Sequence, residues 1–279
     1  FTSTAMKNCD LTVHVSTKLN RSHLIHGKKA LILPVLGRSE LDVQQSGEQF
    51  VTVENSMGIV HSSKGTLPPS SETILSEPAL VCRLADKTFE NDTIDWLALK
   101  DDYSLIRNKI EAVVSGFESF NKRVENPAGF YLPNNARIGD FSTTKTGKAN
   151  FTSHTVEPLK LKPKQLLMMT IRTHDQYNTT IYGLNDRYRG IYNERRVILM
   201  HPEDMKENEL HNLDLVDIKS HFNNELRTVE KFLVVQYPIP LGCSATYFPE
   251  ANALVPIGSV ADKSNTPTSK YIVITVDKH

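Results

Sequence analysis

The sequence predicts a mixed α/β region followed by an all-β barrel or sandwich. In the first half, helical apolar stripes alternate with short strand patterns, whereas the second half has short strands, frequent turns and one short helix. A stretch rich in Pro, Gly and Asn, Val124 to Asn150, lies between them. The length of 279 residues also favours two domains. We expect domains at residues 1–125 and 151–279, joined by a linker at 126–150.

The charge balance limits the classes of partner. The chain has 32 basic and 32 acidic residues, which excludes binding of nucleic acid through bulk charge alone. A local basic pocket for one phosphate-bearing ligand remains compatible with this balance. No apolar run approaches 18 residues, so the sequence predicts no membrane span.

The cysteines are few and widely spaced. Cys9, Cys82 and Cys243 form no Cys-x-x-Cys pair, so they cannot by themselves hold a zinc or iron–sulfur site. An odd, sparse set of thiols is typical of a reducing compartment, and we expect a cytoplasmic location. The first six residues lack the charged and apolar regions of a signal peptide, so none is expected in the visible sequence.

The first half contains two strand and two helix patterns. Leu11 to Val15 alternates as a half-buried strand, and Ala30 to Leu33 is an apolar run that predicts a buried strand. A helix is predicted over Ser71 to Phe89, with Pro78 near its first turns. A second helix is predicted over Asp101 to Val114, capped by one of its first two aspartates. The apolar stripe of this second helix consists of Leu105, Ile106, Ile110 and Val113.

The second half reads mostly as strands. The predicted strands are Leu166 to Ile171, Arg196 to Met200, Leu215 to Lys219, Thr228 to Val235 and Tyr271 to Val276. One short helix is predicted at Pro202 to Glu207, because proline suits the first turn and two acidic residues follow it.

Established catalytic motifs are absent from the sequence. It contains no Gly-x-Gly-x-x-Gly, P-loop, His-Glu-x-x-His or Gly-x-Ser-x-Gly pattern, and its ten histidines are scattered. We therefore predict no catalytic residue and no metal ligand within this chain.

A polar loop directly follows the first predicted strand of the second half. Loops at strand ends commonly carry ligand sites. A guanidinium there can pair with a phosphate, amides and a carboxylate can contact the edge of a heterocycle, and threonines can donate to phosphate oxygens. A polar surface loop is the alternative interpretation. The candidate residues of this loop are Arg172, His174, Asp175, Gln176, Asn178, Thr179 and Thr180.

Two later segments carry similar groups. Residues 243–256 include Asn252 and two aromatic residues, Tyr247 and Phe248, that could stack on a planar ring. Residues 262–270 end in Lys270, a suitable phosphate partner, just before the last predicted strand. Each segment alone is also explained as ordinary loop composition.

Together and in this order, these segments resemble the C-terminal region of the molybdopterin-dependent oxidoreductases. That family contains formate dehydrogenases and nitrate reductases, and the sequence is most similar to formate-dehydrogenase-like alpha subunits. The motifs that carry the resemblance are Ala5 to His14, Val53 to Met57, Thr146-Gly147-Lys148-Ala149-Asn150-Phe151, Thr170 to Thr180, Ile198 to Asp204 with Asp214 to Ile218, Ala251 to Leu254, and Ser269-Lys270-Tyr271.

The resemblance implies a fold and a cofactor. The second domain would be a six-stranded double-psi β-barrel of the aspartate-decarboxylase-like type, preceded by an α/β fragment. It would cover a molybdopterin guanine dinucleotide, as Mo-bis-MGD. Family roles in cofactor binding then fall on the loop candidates named above and on Phe248, Asn252 and Lys270.

The resemblance also implies that the redox centres lie elsewhere. Family members carry their iron–sulfur cysteines and the Cys or selenocysteine on molybdenum in N-terminal domains, which this sequence does not match. We expect a C-terminal fragment, inactive alone, whose residues 1–125 belong to a discontinuous α/β domain. Its expected partners are the organic cofactor, the N-terminal domains of a parent chain with a possible 4Fe–4S cluster, and an electron-transfer partner.

Two other functions are alternatives to an oxidoreductase. The chain could be a non-catalytic double-psi barrel module that binds a nucleotide or a protein. It could also be a hydrolase or decarboxylase on a similar barrel, although no nucleophile motif supports that reading.

Overall fold

A computed structural model describes residues 1–90, 93–155, 159–174, 176 and 183–279. The chain divides into two compact units, Phe1–Thr152 and Ser153–His279.

The described part of the first unit mixes short helices with short strands. Its elements in chain order are α1 (Thr2–Lys7), β1 (Leu11–Ser16), β2 (Lys29–Pro34), β3 (Asp42–Gln44), β4 (Gly47–Gln49), β5 (Val51–Glu54), β6 (Ile59–Ser63), α2 (Glu77–Thr88), α3 (Trp96–Asp101), α4 (Tyr103–Val113), α5 (Phe120–Arg123) and β7 (Phe130–Tyr131).

Strands β1 and β2 form a two-stranded parallel sheet. Both strands were predicted, and both are confirmed. The prediction that Ala30 to Leu33 is buried is wrong, because Leu31 and Ile32 are 49% and 46% exposed. An apolar run indicates a strand but does not say what covers it, and these two side chains stay about half exposed.

Helix α2 begins six residues later than the sequence predicts. The Ser76 side chain accepts a hydrogen bond from the N–H of Ala79, and Pro78 lies in the first turn. These two features fix the start of the helix. The residues before it pair elsewhere, since Leu75 forms a parallel bridge with Val35.

Helix α4 is confirmed, with Asp102 as its N-cap. The Asp102 side chain accepts a hydrogen bond from the N–H of Ser104 at 2.8 Å. The predicted apolar stripe is only partly buried. Ile110 packs against an aromatic cluster, whereas Val113 is 81% exposed.

That aromatic cluster is the core of the antiparallel sheet β5-β6-β7. Val60, Phe120 and Val124 are buried in it, and Phe130 from β7 packs on them. Part of the range 126–150 therefore lies in a sheet of the first unit. Gly129 precedes β7 with φ +71°, and a Cβ there would lie 2.3 Å from the carbonyl oxygen of Val60.

The second unit is a closed barrel with one helix beside it. Its elements are β8 (Leu166–Ile171), β9 (Val197–Met200), α6 (Pro202–Glu207), β10 (Leu215–Phe222), β11 (Glu225–Gln236), β12 (Cys243–Tyr247) and β13 (Ile272–Lys278). The five predicted strands and the predicted helix α6 are all confirmed, with β8 and α6 at the predicted bounds.

The barrel has six strands in the order β10-β11-β9-β12-β8-β13. Two neighbouring pairs, β11 with β9 and β12 with β8, run parallel. The other four pairs are antiparallel, including β13 with both β8 and β10. Because the ring closes, no strand of the barrel is left as an edge.

Apolar side chains fill the barrel and also cover part of its outside. All four residues of β9 are buried. Ile198 and Met200 belong to the main core, whereas Val197 and Leu199 belong to a second cluster. A strand buried on both faces reads as a continuous apolar run, and this pattern made β9 predictable.

Strand β12 was not predicted, since residues 243–256 were interpreted as a loop. Its inward positions carry small polar residues, Ser244 and Thr246, which are 1% and 0% exposed. The Thr246 hydroxyl contacts the Met168 sulfur at 3.5 Å. Burial of hydroxyls in place of alkyl groups removed the apolar signal on which the prediction relied.

Candidate functional site

A cavity of about 500 Å³ opens at one end of the barrel. Its volume is within the usual range of ligand pockets in proteins. Four separate segments of the second unit line it. The lining residues are Thr170, Ile171, Arg172, Arg189, Phe248, Ser269 and Lys270.

Strand pairing brings these segments together. Strands β8 and β12 run parallel with Ile171 opposite Tyr247. The N–H of Phe248 then donates to the carbonyl of Ile171 at 2.8 Å. On the other side of β8, the N–H of Thr170 donates to the carbonyl of Ser269 at 2.9 Å. The residues after β8, after β12 and before β13 therefore meet at one end of the barrel.

Three of the predicted residues, Arg172, Phe248 and Lys270, thus line one cavity. Of the described residues that line it, three are cationic and none is acidic. The Lys270 ammonium donates a hydrogen bond to the carbonyl of Thr170. Burial and then the positive charge of Arg172 lower the pKa of Lys270. A bound anion would relieve this repulsion, so the cavity suits a phosphate-bearing ligand.

A buried carboxylate contacts the third cation, Arg189. Asp186 is 2% exposed, and its Oδ2 accepts hydrogen bonds from Arg189 Nη1 at 2.6 Å and from the Tyr247 hydroxyl at 2.7 Å. Arg189 Nη1 also donates to the carbonyl of Arg172 at 3.2 Å. Tyr247 is completely buried, so the expectation that it could stack on a ligand ring is wrong.

A second network fixes the backbone of Phe248. Arg195 is 4% exposed and donates from Nε to Glu250 at 2.7 Å. Its Nη2 donates to Gln176 at 2.8 Å and to the carbonyl of Phe248 at 3.1 Å. The Gln176 amide also donates to that carbonyl. Gln176 is therefore bonded within this network and does not line the cavity.

The other predicted residues lie apart from the cavity lining. His174 is exposed, with its ring 4.3 Å from the ring of Tyr188. Asn252 is exposed at the start of a short 3-10 helix, Asn252–Leu254. The remaining four lie outside the residues that the structure describes: Asp175, Asn178, Thr179 and Thr180.

Sequence reasoning missed Asp186, Arg189, Arg195 and Glu250. The segment 185–190 combines Asn, Asp and Gly with two arginines, a pattern typical of a polar turn. That pattern could have identified Arg189 as a candidate. Arg195 and Glu250 are far apart in sequence, and no local signal joins them.

Two further kinds of site, a metal site and a membrane span, are not found among the described residues. Among them, no group of three or more His, Cys, Asp or Glu side chains could hold a metal ion. In the same part of the chain, no helix combines the length and the apolar character needed to cross a bilayer.

Comparison with known families shows what the barrel unit is similar to. A family model described as "Molydopterin dinucleotide binding domain" matches residues 166–273. This part of the chain is similar to that family. The match runs from the first residue of β8 into β13 and includes all the described residues that line the cavity. The predicted relationship to molybdopterin-dependent oxidoreductases is therefore confirmed.

Similar proteins extend the likeness beyond the dinucleotide-binding domain. An uncharacterized oxidoreductase of Mycobacterium tuberculosis is 45% identical over 99% of this chain. The protein YdeP of Escherichia coli is 40% identical over 96% of it. The chain spans 36% of the length of each of these relatives.

A solved structure shares the fold. Acetylene hydratase from Pelobacter acetylenicus has a TM-score of 0.54 and 15% sequence identity. The likeness covers 89% of this chain and 38% of the hydratase chain.

Proposed function

We propose that the barrel unit binds a molybdopterin guanine dinucleotide, as Mo-bis-MGD, in the cavity at the ends of β8 and β12. The observation that carries the proposal is the cationic lining inside the matched domain, where the described lining residues include three basic side chains and no acidic one. Arg172, Arg189 and Lys270 would bind the pyrophosphate groups. The half-buried ring of Phe248 would contact a planar ring of the cofactor.

The donor chemistry fits such a dinucleotide. Guanidinium and ammonium groups pair with phosphate, and exposed carbonyl groups can accept from the amino groups of guanine or pterin. We retain Asn252 and His174 as further cofactor residues, together with the four that lie outside the described residues. We do not retain a direct contact for Gln176, because its amide is occupied by Arg195 and Phe248.

The whole protein would be a molybdopterin-dependent oxidoreductase of the formate dehydrogenase type. The bound cofactor would supply the metal that changes oxidation state. This chain's residues would bind the dinucleotide, orient it and exclude water from it. Metal ligands, a 4Fe–4S cluster and the contact with an electron-transfer partner would belong to other parts of the protein, and this chain alone would be inactive.

The fold supports a more detailed assignment. Six strands with two parallel pairs are compatible with a double-psi barrel. Residues 1–125 would be part of a larger α/β domain, and the part of 126–150 that follows β7 would link it to the barrel. The parallel pair β1–β2 supports this, because parallel sheets are normally covered on both faces and these strands expose their apolar residues. The three free cysteines support a cytoplasmic location.

Nucleotide titration tests the cavity directly. We expect the 279-residue chain to bind GDP, measured by calorimetry, and Arg172→Gln or Lys270→Gln to weaken binding about tenfold each. Lys206→Gln on α6 is the matched control, because that lysine does not line the cavity. The GDP affinity of this variant should equal that of the wild type. Equal affinity in all variants would contradict the assigned site.

A measurement on the whole protein separates the oxidoreductase from the main alternative. A non-catalytic module for a nucleotide or protein would contain neither molybdenum nor tungsten. It would release no guanine nucleotide on denaturation. We expect the full-length protein to contain one of these metals and to release guanine nucleotide.

A further inference from the structure

Arg189 reaches the cavity from a tight turn rather than from a strand. Within that turn, the N–H of Asp186 donates to the carbonyl of Ile191 at 2.7 Å, and the N–H of Ile191 donates back at 3.1 Å. The side chain of Asp186 points inward and is completely shielded from solvent. The turn thus places the Asp186 carboxylate in the interior and the Arg189 side chain, which is 28% exposed, at the cavity.

Within the part of the chain that the structure describes, the hydrogen bonds of the Arg189 side chain use one nitrogen of its guanidinium. Nη1 donates both to Asp186 and to the carbonyl of Arg172, which accounts for its two hydrogens. A guanidinium has five N–H donors, and no described residue accepts from the three on Nε and Nη2, which can donate to a ligand. Because the group is planar, fixing Nη1 at two points also fixes the direction of the other donors.

Tyr247 connects this arrangement to the barrel. Its hydroxyl donates to the same Asp186 oxygen that binds Arg189, and its ring belongs to the apolar cluster outside β9 and β12. Burial raises the pKa of Asp186, but the hydrogen bonds from Tyr247 and Arg189 outweigh burial, and the net pKa lies below its ordinary value. The carboxylate is therefore ionised at neutral pH and can hold a cation.

We propose that Asp186 and Tyr247 are positioning residues that hold Arg189 as a phosphate-binding side chain of the cavity. This inference rests on the proposed function, since it assigns a ligand contact within the same site. It names a binding residue, Arg189, and two residues that act only through it. None of the three was expected from the sequence to bind phosphate.

A positioning role for Asp186 and simple electrostatics predict opposite effects of Asp186→Asn on the affinity for anions. If Asp186 acted only through its charge, Asp186→Asn would make the cavity more positive and would strengthen anion binding. If Asp186 positions Arg189, the same variant frees the guanidinium and weakens binding. We expect about tenfold weaker binding of inorganic pyrophosphate to Asp186→Asn, and a similar or larger loss for Arg189→Gln.

A double-mutant cycle distinguishes positioning from a general structural role. Pyrophosphate affinity is measured by calorimetry for wild type, Asp186→Asn, Arg189→Gln and the double variant, all in the 279-residue chain. We expect Asp186→Asn to have no further effect on affinity once Arg189 is replaced. A merely structural role would give losses that multiply.

The matched control removes a different buried carboxylate of the same unit. Asp204 is 4% exposed and accepts a hydrogen bond from the N–H of Gly242, away from the cavity lining. Asp204→Asn should lower the melting temperature without changing pyrophosphate affinity. Unchanged or tighter binding by Asp186→Asn would overturn the positioning role alone. Absence of pyrophosphate and GDP binding by the folded wild-type chain would overturn the proposed function.

Discussion

Replacement of Arg195 by methionine should strongly destabilise the barrel unit. Arg195 is 4% exposed and bonds to Glu250, Gln176 and the carbonyl of Phe248. Methionine keeps much of the side-chain volume but removes every one of these donors. The Glu250 carboxylate then loses its charged partner in a mostly buried position.

The size of the effect follows from this geometry. Breaking a buried ion pair by removing one partner costs about 3–5 kcal/mol. The Glu250 side chain is 21% exposed, so water can replace part of the lost interaction, and we expect a loss near the lower limit, about 3 kcal/mol. For a unit of this size, that corresponds to a decrease in melting temperature of about 12 °C.

Differential scanning calorimetry of the 279-residue chain would measure the transition of the barrel unit. Arg196→Met is the matched control, because Arg196 is the next residue and its side chain is exposed. The control should change stability by less than about 0.5 kcal/mol. A loss below about 1 kcal/mol for Arg195→Met would refute the view that this network is a principal support of the site.

Three further predictions concern single features of the fold. Ser76→Ala removes the N-cap of α2 and the 2.6 Å hydrogen bond to the Tyr103 hydroxyl, and should lower the free energy of unfolding in urea by about 1–2 kcal/mol. Gly129→Ala should lower it by about 2 kcal/mol or more, because φ is +71° and the new Cβ would collide with the Val60 carbonyl. Burial raises the pKa of Asp186, but its hydrogen bonds lower that pKa by more, so it lies below the ordinary value of 3.8 in the folded chain. The ionised carboxylate therefore stabilises the fold above pH 3.8. That contribution is lost as pH falls through the folded pKa, and Asp186→Asn should unfold with a weaker acid dependence in acid titrations followed by circular dichroism.

Sequence patterns located most of the barrel because its strands are apolar runs bounded by turns. Strand β9 illustrates the success, since burial on both faces leaves only apolar residues in it. Strand β12 illustrates the failure, because it buries Ser244 and Thr246 where alkyl side chains are usual. The burial of β2 was mispredicted for a different reason, because an apolar run does not identify what covers it, and Leu31 and Ile32 are about half exposed.

The candidate site was predictable only where a residue directly follows or precedes a strand. Arg172 and Lys270 flank β8 and β13, so strand pairing brings them together. Arg189 comes from a turn, and its position depends on Asp186 and Tyr247, which is 61 residues from Asp186 in sequence. Gln176 was predicted as a cofactor residue because it is polar and lies in a loop. Its side chain instead accepts a hydrogen bond from Arg195 and does not line the cavity.

The place of β13 in the ring has a consequence for synthesis of the protein. This strand lies between β8 and β10, which come 106 and 57 residues earlier when first residues are compared (272 − 166 and 272 − 215). During translation the other five strands are synthesised first. Until β13 follows, β8 and β10 are unpaired edge strands, which are potential sites of misassociation. The ring closes only when Ile272–Lys278 leaves the ribosome. The cavity lined by Ser269 and Lys270 is therefore completed in the same late step, so cofactor insertion would follow release of this strand.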